Sequence, residues 1–86
     1  MDEIISKQAK QVLSKEEYQE FMSYIFAKNI KDAKILANKV YEISTNDVLE
    51  TVYKDECDFV LMSQYRKCND LLSLVIHYGL KLDIND

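Results

Sequence analysis

Eighty-six residues with a net charge of -4 form one domain, residues 1–86; a chain this short buries about 60 to 65% of its unfolded surface, enough for a single core. Apolar residues make up 48% and charged residues 30%, which excludes a disordered chain, and no apolar run approaches the roughly 20 residues of a membrane span. The excess negative charge lies wholly in residues 44–86, so no overall basic face is offered to nucleic-acid phosphates.

With one Gly and no Pro, the chain lacks the punctuation of β-hairpins and sandwiches, and helix is the reading by period and by elimination. A first helix is expected over residues 2–13, with Ile5, Ala9 and Val12 on one stripe. Ser14 followed by Glu17 has the spacing of a capping box. It opens a second helix, residues 15–28, with Tyr18, Phe21, Met22, Ile25 and Phe26 inward. Asn29 tolerates the left-handed conformation that ends a helix and can cap the next. The third helix, residues 31–43, turns Ala33, Leu36, Ala37, Val40 and Ile43 to one side, with Ile35 out of phase on the other.

Ser44-Thr45-Asn46-Asp47 is a run of cap-type residues and predicts the end of that helix and the start of another. The fourth segment is the least regular. A single helix to Lys67 would align Val48, Leu49, Val52, Phe59 and Ser63, but would put Glu56 on the same face. Either Glu56 has a buried partner, or the helix breaks near Lys54-Asp55; the cost of an unpaired buried carboxylate favours the break. Asn69 or Asp70 then caps a final helix with Leu71, Leu72, Val75 and Tyr78 inward. Gly79 is read as its stop, followed by a short extended C-terminal tail over residues 80–84. The expected fold is all-α: a compact bundle of four to five short helices, with irregular or orthogonal packing.

Chemical motifs are sparse. Asp70, Ser73 and His77 have catalytic lettering, but at i, i+3, i+7 they stack along one polar helix face, whereas a nucleophilic triad must converge on a raised Ser. His77 is the single histidine and Gly79 the single glycine, so neither a His-based metal site nor a phosphate-cradling loop is expected. No catalytic, metal or cofactor-binding residue is assigned. Cys57 and Cys68 read as small buried hydrophobes; on one helix they would stand about 16 Å apart, beyond the roughly 7 Å reach of a disulfide. The acidic, non-secretory start Met1-Asp2-Glu3 sets the cytoplasm as the expected address.

Two features point to a protein partner. Asp47, Glu50, Asp55, Glu56 and Asp58 crowd around Lys54 and read either as a docking patch for a basic partner or as a solvated face with acids at a helix N-terminus. Six tyrosines stand without a tryptophan. Tyr18 and Tyr78 read as core. Tyr24, Tyr53 and Tyr65, with Ile35 and Leu61, fall off the apolar stripes and read as an interface, or as core if the helix phases shift by a residue. The resulting partner-binding set is Tyr24, Ile35, Tyr53, Asp55, Glu56, Asp58, Leu61 and Tyr65. The expected function is a non-catalytic protein-binding regulator, an inhibitor or adaptor of a larger protein. The Lys-, Ile-, Asn- and Tyr-rich, Pro-free composition looks like that of phage or mobile-element accessory proteins. The alternatives are a self-associating helical module, including a homodimer, or an immunity or antitoxin-type protein. Neither nucleic acid nor membrane is an expected partner.

Overall fold

Among the described residues, four helices in two pairs make up the fold: α1 (Asp2–Val12), α2 (Lys15–Phe26), α3 (Ile30–Tyr53) and α4 (Phe59–Asn85). The computed structural model describes residues 2–54, 56 and 58–85, the side chains of Asp2, Ile84 and Asn85 excepted. α1 and α2 are short, 11 and 12 residues, while α3 and α4 run for 24 and 27. At 1.5 Å per residue the long pair spans about 36 to 40 Å, which sets the longest molecular dimension of 48 Å against 26 and 18 Å across. α3 and α4 pack against each other along their lengths, α1 lies on α4, and α2 lies on α3 and α1.

Local signals build the first half as expected. Ser14 accepts from Glu17 N (3.2 Å) while Glu17 Oε1 accepts from Ser14 N (3.0 Å), a closed capping box. Asn29 Oδ1 accepts from Asp32 N at 3.3 Å and so caps α3. The left-handed residue between α2 and α3, however, is Lys28, with φ 58°. There Lys28 N donates to Ile25 O and Asn29 N to Tyr24 O, the paired bonds of a Schellman ending. That ending, expected at Gly79, is found at Lys28 instead.

The expected boundaries in the second half do not all hold. α3 passes through Ser44–Asp47 without interruption. Ser44 is buried and its hydroxyl bonds the Cys68 thiol on α4. Thr45 Oγ1 turns back to Tyr41 O at 2.8 Å. Both cap-type side chains are thus satisfied within a helix by tertiary or i-4 partners and no longer compete with it. α4 likewise runs through Asn69 and Asp70, which are exposed between the buried anchors Cys68 and Leu71. Gly79 does not stop α4, which continues to Asn85, so residues 80–84 are helical rather than an extended tail. The break near residue 54 does occur: α3 ends at Tyr53, and Glu56 lies exposed between helices, outside the core.

The core forms where all four helices meet. Ile5 and Ala9 of α1, Phe21 and Ile25 of α2, Ala33 and Ala37 of α3, and Leu71 and Val75 of α4 are essentially buried. Burying each large side chain contributes about 1.5 to 3 kcal/mol. Gly79 keeps α3 and α4 close. A Cβ there would stand 2.9 Å from Ile30 Cγ2, and a β-branched side chain has little freedom to turn aside. Gly79→Ala is therefore expected to destabilise the chain in urea denaturation despite its better helix propensity. In an Ile30→Ala background the same change is expected to stabilise by up to about 1 kcal/mol; equal effects in both backgrounds would contradict the close approach.

Candidate docking surfaces

The register of the α3–α4 pair follows from three contacts. Ile30 meets Gly79, the Tyr41 and Tyr65 hydroxyls are 3.0 Å apart, and Ser44 meets Cys68. From Ile30 at one end of α3 to Tyr41 and Ser44 further along it, the α4 partner moves back from Gly79 to Tyr65 and Cys68, so the pair is an antiparallel helical hairpin. The short helices cover only part of it. Gln8 Nε2 on α1 donates to Lys67 O at 3.0 Å. Val12 and Glu17, flanking the α1–α2 turn, share a shallow cleft with Ile43, Ser44, Asp47 and Gln64. Beyond Asp47 the hairpin continues alone for about 9 Å, six residues of α3 at helical rise.

This uncovered tip is apolar. Tyr53 is 89% exposed, Phe59 79% and Val60 77%, and Leu49, Val52 and Met62 are exposed with them. Contiguous exposed apolar side chains on a small protein mark an interaction site more often than scattered ones do. Acids stand among them. Asp47, Glu50 and Glu56 are exposed, and Glu50 Oε1 is 3.7 Å from Lys54 Nζ. Asp58 Oδ1 accepts from Val60 N and Leu61 N at 3.0 and 3.2 Å, capping the start of α4.

The partner-binding set drawn from the sequence separates into two groups. Tyr53, Glu56 and Asp58 lie at the tip, and Leu61 and Tyr65 are half-buried on α4 just below it; Asp55 lies outside the described residues. Tyr24 and Ile35 are elsewhere, on a shared surface between α2 and α3 with Glu20 and Lys39. Tyr24 is half-buried and its hydroxyl donates to Glu20 Oε1 at 2.7 Å. That bond, followed by burial and the nearby Glu20 and Asp32 charges, raises its pKa. The exposed apolar residues Leu49, Val52 and Phe59 are absent from the expected contacts because their shared stripe reads as core-facing, and Val60 and Met62 are absent too.

A second apolar surface lies on α1 and α2. Between α1 and α2 runs a groove of about 670 Å³, floored by Tyr18, Met22 and Phe26 and edged by Glu3, Lys7 and Lys10. Phe26, expected in the core, is 71% exposed here. Ser6 Oγ and the Tyr18 hydroxyl, 2.7 Å apart, tie the two helices together, and Lys10 Nζ sits 5.6 Å from the Tyr18 ring centre.

Asp70, Ser73 and His77 are all exposed on the outer face of α4. Among the described residues, no three His, Cys, Asp or Glu side chains gather as a metal site requires. No described helix is long and apolar enough to cross a membrane. Cys68 is buried; burial pushes its thiol pKa up, with the Ser44 hydrogen bond pulling in the opposite direction. Cys57 lies outside the described residues. No protein-family model matches the chain, and no curated protein or solved structure matches it significantly.

The Tyr41–Tyr65 pair, with ring centres 5.4 Å apart, joins the two long helices below the tip. The hydrogen bond to Tyr41, then the charge of Tyr41 and burial, hold the Tyr65 hydroxyl above the ordinary value of 10.0. A raised folded pKa means that the contribution is whole below pH 10 and is lost as pH rises past it. In a phenolate-absorbance titration, the difference between wild type and Tyr65→Phe is expected to show a tyrosine ionising above 10.0, and Tyr41→Phe should lower it. A Tyr65 titration indifferent to Tyr41→Phe would contradict the pairing.

Proposed function

We propose that this chain is a small non-catalytic protein-binding regulator, an inhibitor or adaptor, that docks the tip of its α3–α4 hairpin on a larger protein. The observation that carries this reading is the exposure of Val52, Tyr53, Phe59 and Val60 at the facing ends of α3 and α4, amid Asp47, Glu50, Glu56 and Asp58. The matching partner surface is an apolar cleft edged by Lys or Arg. Tyr53 and Phe59 act as anchors, since a few desolvated aromatic side chains carry most of the energy of an interface. The acids steer the encounter and select orientation more than they add affinity. Asp58 caps the start of α4 and the Lys54 and Glu56 amides close the end of α3 onto Glu50 O and Thr51 O, so the helix ends that carry Tyr53 and Phe59 are set before binding.

The test is affinity capture from source lysate with wild type, Phe59→Ser/Val60→Ser, and Ile35→Ser as an exposed control on a different face. Wild type and Ile35→Ser are expected to retain the same protein, with recovery falling at high salt; the tip variant should lose it by at least about tenfold, the loss of 1.4 kcal/mol. Equal recovery by all three would place the contact elsewhere. Recovery of nothing by wild type would count against the reading.

A further inference from the structure

We infer that the α1–α2 groove receives the hairpin tip of a second copy of this chain, so that the protein self-associates head to tail and masks its tip in doing so. The inference rests on the reading of the tip as a docking surface, and adds what covers it when no larger partner is bound.

Three observations carry it. The groove runs along α1 and α2 back from their turn, while the tip projects beyond that turn, past Asp47. The tip is held out along continuous helices, so it cannot fold back onto its own groove, and any contact between them is intermolecular. Their charges also differ in sign. Lys7 and Lys10 edge the groove with Glu3 as the one acid lining it, and neither lysine is ion-paired to a carboxylate among the described residues. The tip carries Asp47, Glu50, Glu56 and Asp58 against Lys54. The Lys54–Glu50 pair is exposed and so neutralises little of that field, a surface pair being worth about 0 to 1 kcal/mol.

The third observation is shape. The helices flanking the groove are 11 and 12 residues long, which makes the groove about 16 Å long. That length takes both the Tyr53 and Phe59 rings, which stand on helices packed about 8 to 10 Å apart. In the inferred contact the tip rings lie on Met22 and Phe26, and the tip acids face Lys7 and Lys10. A tip-to-tip dimer would instead bring acids against acids, which is unfavourable.

Each copy offers one tip and one groove, so the contact either closes as a twofold pair, each tip in the other's groove, or runs on into a ring or an open chain. It also competes with the larger partner for the same tip. The regulator would be held in a self-capped form, released by dilution or by a tighter site.

Sedimentation velocity on the full chain tests this through complementation. The tip variant Phe59→Ser/Val60→Ser and the groove variant Phe26→Ser/Lys7→Glu alter exposed side chains, and their circular dichroism and melting are expected to match wild type. Wild type should show a mass rising with concentration from the monomer to a dimer or a larger assembly. Each variant alone should assemble no further than monomer, and an equimolar mixture should form a complex that stops at two chains, the intact tip of one in the intact groove of the other. Three results would each overturn the inference: wild type monomeric at millimolar concentration, a groove variant that still dimerises alone, or a mixture that stays monomeric. Capture of a larger protein through the tip in any of those cases would leave the proposed function standing.

Discussion

The antiparallel seam between α3 and α4 is the constraint on which the remaining architecture depends. It is made by a close approach at Ile30 and Gly79, a buried hydroxyl–thiol contact at Ser44 and Cys68, and a paired tyrosine bridge at Tyr41 and Tyr65. Spread over some 14 residues of α3, these contacts hold the two helices in register. Two helices of 24 and 27 residues cannot be covered by two of 11 and 12. Part of the long hairpin must therefore stand uncovered, and what the chain places there decides what the molecule can do.

At the covered end lies a small core of ordinary composition, with Phe21, Ile25, Leu71 and Val75 at its centre. At the uncovered end the apolar stripe continues, unchanged in character, through Leu49, Val52, Phe59 and Val60. A soluble surface would replace these with charge, since every such side chain left in water forgoes about 1.5 to 3 kcal/mol of burial. Their retention beside acidic residues makes the tip suited to a surface that is apolar in the centre and basic at the edge. The α1–α2 groove, with Phe26 outside the core and two lysines at its margin, has that character within the same chain.

The legible and illegible parts of the fold divide along a physical line. The Ser14–Glu17 box, the Asn29 cap and the stripes of Ile5, Phe21, Ala33 and Leu71 are local, and each is found where period and spacing put it. The end of α3 near residue 54 was legible because a buried Glu56 would be costly. The expected breaks at Ser44–Asp47, Asn69–Asp70 and Gly79 failed because each is overridden by a partner distant in sequence or by flanking anchors: Cys68 for Ser44, the core residues around Asn69, Ile30 for Gly79. The candidate site was half legible. Tyr53, Glu56 and Asp58 stand out by charge and phase. Phe59, Val60 and Phe26 do not, because a helical stripe shows which residues share a face but not whether another element covers it.

The central claim is that uninterrupted helices carry the tip away from the four-helix core. The most direct measurement is the distance between spin labels at Lys31 and Val52, two exposed positions on α3. One straight helix puts their Cα atoms about 32 Å apart, and a narrow distribution near that value is the expected result. A distance near half that value, or a broad distribution reaching it, would mean that α3 breaks at Ser44–Asp47 and folds back, and that the exposed tip does not exist.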